Sequence, residues 1–230
     1  MIKEINIGCA STKTKYGKRL DTTIVELNPS AKLSGLFTSN KFKSAPVQVC
    51  LNQIKTKMKG KKMLIINAGN ANAATGEAGI RDTNKLIKNI SALSGLPTNQ
   101  ILPFSTGVVG ELLDMKSLTP AFSECFKNLK KNSWDDFATA IMTTDTKNKL
   151  VKLTGKVGSK KYQIIGIAKG VGMIEPNMAT TLSYVFTDLK LPENILKKLH
   201  KKICDHTFNA ISIDGDQSPS DSSILVATGS

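Results

Sequence analysis

Short apolar runs alternate with stretches of helical period along the chain. Residues 63–66 form an uninterrupted apolar run, which predicts a buried strand. A polar, glycine-containing loop follows at residues 67–76, and apolar residues then recur at helical spacing over residues 80–93. Gly95 and Pro97 come next, in the order that usually ends a helix. This part of the chain therefore predicts a strand, a loop and a helix in succession.

The middle of the chain predicts two further helices. Apolar residues at three- and four-residue spacing between Leu118 and Leu129 indicate an amphipathic helix. Ser133 is a suitable N-terminal cap for the next helix, because its hydroxyl can accept a hydrogen bond from a first-turn N–H group. Asp135 and Asp136 fall in that turn, where negative charge suits the helix dipole.

From residue 150 onward the apolar pattern becomes that of strands. Strands are predicted at residues 150–157, 162–168, 182–186, 211–213 and 224–227. Pro192 begins a lysine-rich segment of helical period between the third and fourth of these strands. Because hairpins are mixed with helices, the order favours an α/β fold with layered mixed sheets over a doubly wound parallel sheet.

The composition is that of a soluble globular protein, with 40% hydrophobic and 22% charged residues among 230. Lys and Arg exceed Asp and Glu by 32 to 18, which raises nucleic acid as a partner. No basic run is interleaved with aromatic residues, so the lysines are interpreted as solvated surface and no nucleic acid is expected. Without a signal-peptide pattern or an apolar run of about 18 residues, we expect a cytoplasmic protein with no membrane contact.

Cysteine and histidine point to neither a metal site nor a catalytic triad. The four cysteines have no C-x-x-C spacing, so they are interpreted as reduced thiols and no metal is predicted. The two histidines, His200 and His206, lie in the lysine-rich segment and are interpreted as surface or helix-end residues. A serine–histidine triad is therefore disfavoured.

Thr180 stands between a segment of small residues and the apolar run that begins at Leu182. A threonine hydroxyl is a poor nucleophile until a base removes its proton. One solution is to cut the chain just before the threonine, so that its own α-amine serves as the base. The free α-amine has a pKa of about 8, so no histidine is required. The sequence therefore offers Thr180 as an N-terminal nucleophile.

Four other segments carry weaker signals. Residues 105–110 combine hydroxyls with flexible backbone, as an oxyanion hole requires. Residues 143–146 are equally suited to capping a helix end. The asparagine-rich loop at residues 67–76 favours a structural turn over a nucleotide site. Residues 214–221 superficially resemble a calcium loop, but they lack the spacing and the final Glu of an EF-hand.

Taken together, these segments closely resemble the bacterial ornithine acetyltransferase (glutamate N-acetyltransferase) family of arginine biosynthesis. The resemblance rests on residues 35–40, 45–47, 67–73, 105–107, 140–146 and 172–180, and it extends over nearly the whole chain. It implies a four-layer αββα fold of N-terminal-nucleophile type and acetyl transfer from N-acetylornithine to glutamate. It also implies self-cleavage between Ala179 and Thr180, which gives an α-chain region at residues 1–179 and the start of a β-chain region at residues 180–230.

The resemblance further implies roles for individual residues. Thr180 would be both the self-cleaving residue and the nucleophile of a ping-pong reaction. Thr106 and Gly107 would form the oxyanion hole, and Thr146 and Lys169 would bind substrate together with Thr180. No cofactor is implied, because the acetyl group arrives on an amide, although acetyl-CoA as a second donor stays open. The implied partners are N-acetylornithine, glutamate, and the α and β chains of one precursor in a hetero-oligomer.

Members of this family continue past Ser230, so the resemblance implies that a C-terminal portion of the fold is missing. We therefore expect the strand at residues 224–227 to lie at an exposed sheet edge. Two alternatives stay open: a truncated, inactive member of the family, and a related N-terminal-nucleophile amidohydrolase or peptidase.

Overall fold

The structure is a computed structural model that describes residues 2–56, 58–131, 133–175 and 181–230. Ten strands and five α-helices lie in these ranges. The strands are β1 Ile5–Ala10, β2 Thr22–Leu27, β3 Lys32–Phe37, β4 Lys62–Asn70, β5 Ile101–Val108, β6 Lys130–Lys131, β7 Lys149–Val157, β8 Lys160–Lys169, β9 Leu182–Thr187 and β10 Ser222–Ala227. The helices are α1 Ala45–Lys55, α2 Gly76–Ser94, α3 Met115–Lys127, α4 Trp134–Ala140 and α5 Glu193–His206. Short 3₁₀ helices occupy Thr98–Gln100 and Phe208–Ala210.

The first sheet has the strand order β5-β4-β2-β1-β6. Strands β4 and β5 are parallel, since helix α2 carries the chain back between them, and the other neighbours are antiparallel. Strand β4 is buried over all but its last residue, which agrees with the uninterrupted apolar run in its sequence. This sheet is therefore mixed, as predicted.

The second sheet has the order β3-β10-β9-β8-β7. Strands β9 and β10 are parallel and are connected through helix α5, while the remaining pairs are antiparallel. Each sheet thus contains one strand–helix–strand crossover: β4-α2-β5 in the first sheet and β9-α5-β10 in the second.

The two sheets pack face to face, and helices cover their outer faces. The largest apolar cluster joins both inner faces with helix α4, and Phe104 of β5 meets Tyr184 of β9 edge to face, with ring centroids 5.6 Å apart. Helices α2 and α3 cover the first sheet, and α5 covers the second. Each large apolar side chain buried here contributes about 1.5–3 kcal/mol. The layer order is α-β-β-α, which confirms the predicted four-layer α/β fold with mixed sheets.

The predicted helices and most predicted strands from residue 63 onward are confirmed. Helix α4 begins after Ser133 with Asp135 and Asp136 in its first turn, but the Ser133 hydroxyl makes no capping hydrogen bond. The β7–β8 hairpin extends slightly beyond the predicted bounds, whereas β4 continues to Asn70 and so includes residues 67–70, which were predicted as loop. None of the helices in the described ranges combines the length and the apolar composition that crossing a membrane would need.

Two expectations about the last third of the chain are wrong. Residues 211–213 form no strand: Ile211 and Ile213 are 45% and 58% exposed, and Ile213 N–H reaches only the Ile174 carbonyl, at 2.9 Å. Strand β10 does not lie at a sheet edge, because it pairs with β3 on one side and with β9 on the other, and all six of its residues are buried. The crossover through α5 inserts it into the sheet.

The interpretation of His200 as a surface residue is also wrong. Helix α5 buries Leu196, His200 and Cys204 at four-residue spacing against the second sheet. The two nitrogens of the His200 ring hydrogen-bond the hydroxyls of Ser34 and Ser223, each at 2.9 Å, so that no buried polar atom of the ring is left without a partner. Burial lowers the pKa of His200 to about 4. The ring is therefore neutral at pH 7. His206 lies at the exposed end of the helix, as predicted.

Candidate functional site

A cavity of about 470 Å³ lies where the strand ends of the two crossovers meet. The first sheet lines it with the end of β5, and the second sheet lines it with the end of β8, the start of β9 and residues 218–221 before β10. Among the described residues, its charged lining consists of Lys15, Lys169 and Asp221. Clefts at strand ends with a few converging polar groups are common binding sites in α/β proteins.

Lys169, the last residue of β8, is a partly buried cation of this cavity. Its Nζ donates to Thr106 Oγ1 at 2.9 Å and to Thr143 Oγ1 at 3.1 Å. Burial lowers the pKa of Lys169, while the charges of Asp145 and Asp221 act in the opposite direction. An ammonium group has three N–H donors, so two hydroxyl contacts leave one donor for a ligand. This geometry suits a ligand carboxylate or carbonyl.

The ends of β4 and β5 come unusually close together beside Lys169. Gly107 has φ of +134°, and a Cβ at this position would lie 2.2 Å from the carbonyl carbon of Gly69. Only glycine fits there. Because Thr106 accepts a hydrogen bond from Lys169, its own hydroxyl proton is free to point elsewhere. The pair therefore offers a hydroxyl donor and an unobstructed backbone at the cavity wall, as an oxyanion hole requires.

Asp145 supports Lys169 from the turn between α4 and β7. Its carboxylate accepts hydrogen bonds from Gly170 N–H at 3.0 Å and Thr143 N–H at 3.3 Å, and it pairs with the Lys149 ammonium. Burial alone would raise the pKa of Asp145, but the hydrogen bond from Gly170 and those from Lys149 and Thr143 together lower it below its ordinary value. Asp145 is therefore ionised, with three donors bound to its carboxylate, and it holds the turn at Thr143 against the end of β8.

Asp221 is a second buried acid, and it belongs to the cavity lining. The residue is 4% exposed, and its backbone is held by Thr38 N–H, which donates to the Asp221 carbonyl at 3.0 Å. Its Oδ2 has no hydrogen-bond partner among the described residues. Burial raises the pKa of Asp221 to about 8, against the smaller opposing effects of the Ser218 hydroxyl and the Lys169 charge. At pH 7 this carboxyl group is mostly protonated.

Three of the predicted site residues meet in this cavity. Thr106, Gly107 and Lys169 all line it, and Thr106 and Lys169 are in direct contact. Thr146 is exposed and does not belong to the described lining, whereas Thr143 of the same turn contacts Lys169. The structure thus does not bring Thr146 into this group, and its role in substrate binding stays a prediction.

The predicted nucleophile and cleavage site, Thr180 and Ala179, lie outside the described residues. Thr181, the next residue in the chain, lines the cavity, and its hydroxyl donates to the Lys169 carbonyl oxygen. Its own carbonyl accepts a hydrogen bond from Ser222 N–H at 3.0 Å. The residue that follows Thr180 is therefore fixed between the end of β8 and the start of β10.

Several residues of the cavity were not identified from the sequence. Asp221 belongs to the segment at residues 214–221, which was compared with a calcium loop, and its position three residues before the predicted strand at residues 224–227 is the one local signal that points to it. Lys15 reaches the cavity from the β1–β2 loop, where its Nζ donates to the Gly69 carbonyl at 3.1 Å. That contact joins residues 54 positions apart, so no local pattern marks it.

The chemistry of the lining favours anions and acyl groups. Within the described ranges, no group of three or more His, Cys, Asp or Glu residues could hold a metal ion. The donors at the cavity are ammonium groups and hydroxyls, which bind carboxylates and stabilise developing oxyanions.

Comparison with known proteins agrees with this arrangement. The model of the ArgJ family matches residues 6–230. The chain is 41% identical to the arginine biosynthesis bifunctional protein ArgJ of Colwellia psychrerythraea and 35% identical to that of Methylococcus capsulatus. These alignments cover 99% of this chain but only 56% and 55% of the two relatives. The chain therefore spans about half the length of the curated relatives it matches.

Solved structures give the same answer. ArgJ from Bacillus halodurans is 32% identical, with a TM-score of 0.68 over 77% of this chain and 92% of its own. An ornithine acetyltransferase from Mycobacterium tuberculosis, complexed with ornithine, is 27% identical, with a TM-score of 0.63 over 76% of this chain and 92% of its own. An Ochrobactrum anthropi aminopeptidase with a variant N-terminal-nucleophile hydrolase fold shares the fold alone: it is 12% identical, with a TM-score of 0.54 over 99% of this chain and 72% of its own. With the family match extending over nearly all its residues, the chain belongs to the ArgJ family.

Proposed function

We propose that this protein acts as a cytoplasmic glutamate N-acetyltransferase (ornithine acetyltransferase) of arginine biosynthesis, which moves an acetyl group from N-acetylornithine to glutamate. The observation that carries the proposal is the partly buried Lys169 ammonium hydrogen-bonded to the hydroxyls of Thr106 and Thr143, in a chain of the ArgJ family. The names of the relatives support the reaction class, because they include an ornithine acetyltransferase complexed with ornithine.

The reaction proceeds in two half-reactions on Thr180. In the first, the Thr180 oxygen attacks the acetyl carbonyl of N-acetylornithine, the C–N bond breaks, and ornithine leaves with the hydroxyl proton on its nitrogen. In the second, the amine of glutamate attacks the acetyl-threonine ester and returns a proton to the Thr180 oxygen. The α-amine of Thr180 serves as the base in both steps, and no cofactor takes part. Acetyl-CoA as a further donor stays open.

The remaining predicted residues assist these steps. Thr106 and Gly107 stabilise the negative charge on the acetyl oxygen, an effect for which removing one donor costs about 3–4 kcal/mol of barrier. Lys169 supplies a positive charge to the substrate carboxylate, and Thr146 adds a polar contact. The donors that the cavity presents around Lys169 support the first two assignments.

The proposal includes self-cleavage between Ala179 and Thr180. The shares of this chain aligned with the two solved ArgJ-type chains, 77% and 76%, support this, since residues 1–179 are 179 of 230, or about 78%. Those solved chains are themselves 92% covered, so they end near the length of the proposed α chain. Residues 180–230 then begin the β chain, and the two chains of one precursor stay together as a hetero-oligomer.

Intact-mass spectrometry of the purified 230-residue chain tests this proposal. We expect two fragments that sum to the chain plus one water and, after incubation with N-acetylornithine, the added mass of one acetyl group on the fragment that begins with Thr180. Thr180→Ala should abolish both changes, because alanine has no hydroxyl to attack either carbonyl.

The matched control is Thr154→Ala, which removes an exposed hydroxyl of β7 outside the cavity lining and should still be cleaved. Cleavage that persists in Thr180→Ala would remove Thr180 from the mechanism. Free acetate as the product in the presence of glutamate would indicate a hydrolase, and an uncleaved wild-type chain that takes up no acetyl group would indicate an inactive member of the family.

A further inference from the structure

Asp221 is the acid in the described lining of the cavity, and the proposed function gives it no role. Its neighbours do not satisfy it: Oδ2 has no hydrogen-bond partner among the described residues, although the residue is almost fully buried. A buried carboxyl group without such partners normally keeps its proton. Here it faces a cavity in which the other charged lining residues are two lysines.

The charge of a bound ligand is therefore able to change the protonation state of Asp221. The charge of Lys169 is the one that acts on this carboxyl group. The other nearby charges are engaged elsewhere: Asp145 is paired with Lys149, and Asp214, on the segment before Asp221, accepts from the N–H groups of Met173 and Ile174.

The lysines around the cavity other than Lys169 also donate to groups other than Asp221. Lys15 donates to the carbonyl of Gly69 from the β1–β2 loop, and Lys43, in the β3–α1 connection that holds the Asp221 backbone, donates to the carbonyl of Asn40. A new charge in the cavity would thus act on a buried carboxyl group whose Oδ2 has no hydrogen-bond partner among the described residues, and whose remaining interactions are with the Ser218 hydroxyl and the Lys169 charge.

The proposed reaction requires one site to accept side chains of opposite charge. N-acetylornithine and ornithine carry a side-chain ammonium, whereas glutamate carries a side-chain carboxylate. We infer that Asp221 is the specificity-determining residue that allows both: it releases its proton to solvent when a ligand with a side-chain ammonium occupies the cavity, and it keeps that proton when a ligand with a side-chain carboxylate does. This inference rests on the proposed function for the identity of the two ligands.

The size of the effect follows from proton linkage. Asp221 is about 0.9 protonated at pH 7, because its pKa in the empty cavity is about 8. An opposite charge a few ångströms away lowers a carboxyl pKa by roughly 2 units. Binding of ornithine should then release about 0.8 proton at pH 7 and gain about tenfold in affinity. Binding of glutamate should release less than about 0.1 proton.

Isothermal titration calorimetry in two buffers of different protonation enthalpy measures the protons released. Ornithine and glutamate are the probes, and the protein is the 230-residue chain with Thr180→Ala, which lacks the α-amine that cleavage would create. In this background, Asp221→Asn should reduce the release with ornithine to below about 0.1 proton, weaken ornithine binding about tenfold and leave glutamate binding within about twofold. Asp216→Asn, an exposed acid on the same segment, is the matched control and should behave like the parent.

Equal proton release with both ligands, release that persists in Asp221→Asn, or no binding of either ligand would each overturn the inference. These outcomes do not depend on cleavage or acetyl transfer. Proton-linked ornithine binding in a protein that shows neither cleavage nor acetylation would support the role of Asp221 while removing the proposed function.

Discussion

The two acids that interact with Lys169 are both buried, and yet one is ionised and the other is mostly neutral at pH 7. Asp145 is 7% exposed and Asp221 is 4% exposed. Asp145 receives two backbone N–H groups and an ammonium, and its pKa is lowered despite its burial. Asp221 leaves one oxygen without a partner in the described structure, and burial raises its pKa to about 8. Burial acts to raise the pKa of both acids, and the hydrogen-bond partners of Asp145 reverse that effect there.

The difference has a local structural origin. Asp145 follows α4 in a tight turn, where the N–H groups of residues 143 and 170 converge on its carboxylate. Asp221 stands at the entrance of β10, and the neighbouring N–H groups are used by the sheet: Ser222 N–H already donates to the Thr181 carbonyl. Asp145 therefore has a structural role beside Lys169, and Asp221 remains able to change its protonation state when a ligand binds.

Removing the titration of Asp221 should give the largest effect on stability. Its folded pKa of about 8 lies above the unfolded value of about 3.9, so the folded state holds a proton that the unfolded state has lost, and wild-type stability falls as the pH rises between these values. Relative to its effect at pH 4, Asp221→Asn should add about 4 kcal/mol to the free energy of unfolding at pH 7. Urea unfolding at both pH values measures this, and equal effects at the two would contradict it.

Asp145→Asn should act in the opposite direction. The variant keeps one acceptor oxygen where the carboxylate has two, and it loses the charge that pairs with the Lys149 ammonium, which should cost about 3 kcal/mol of unfolding free energy at pH 7. Because the folded pKa of Asp145 is lowered, its contribution is present above the unfolded pKa and is lost as the pH falls through the folded value. Urea unfolding of Asp135→Asn, an exposed acid 3.3 Å from Lys152, should show a change within about 0.5 kcal/mol.

His200 contributes to the same acid range and needs to be separated from Asp145. Its folded pKa of about 4 lies below the unfolded value of about 6.5, so its neutral form stabilises the fold at pH 7 and this contribution is lost as the pH falls. The wild type should lose about 2 kcal/mol between pH 7 and pH 5 from this residue, and His200→Gln should not. An NMR titration that places the His200 pKa near 6.5 would refute the prediction.

Lys169→Met should have the smallest effect on stability, within about 1 kcal/mol, because the lost hydrogen bonds are offset by not burying a charge. The affinity for N-acetylornithine should fall about tenfold or more, since the charge that meets its carboxylate is gone. Calorimetric binding measures the affinity, with Lys15→Met as the second lysine of the cavity for comparison. Unchanged affinity in Lys169→Met would assign the lysine to structure alone.

The sequence predicted those elements in which the local pattern of apolar residues indicates which side is buried. The apolar run of β4 and the repeating apolar positions of α2, α3 and α5 are examples. Strands β1 and β2 were not predicted, because Asn6, Gly8, Thr22 and Thr23 interrupt their apolar residues. The backbone groups of these residues are paired between the two strands, which lie apart in the sequence. His200 was misjudged for the same reason: the serines whose hydroxyls hydrogen-bond its ring lie 166 and 23 residues away.

The site could be predicted only in part. Thr106, Gly107 and Lys169 were identified through the family resemblance, and the structure brings them together. Asp221 was not singled out, because its protonation state depends on its burial and on an oxygen without a hydrogen-bond partner in the described structure, and neither is visible in the local sequence. The local sequence shows which polar side chains are present, and long-range contacts decide which of them find hydrogen-bond partners.

The order β3-β10-β9-β8-β7 has a mechanical consequence for the proposed self-cleavage. Strands β9 and β10 follow the proposed cleavage point, and they form the middle of a sheet whose outer strands, β3 on one side and β8 and β7 on the other, precede it. Breaking one peptide bond between β8 and β9 leaves every rung of these ladders in place. The two pieces would stay joined by the strand pairing on both sides of β9 and β10, so a cleaved chain should separate only when the whole sheet unfolds.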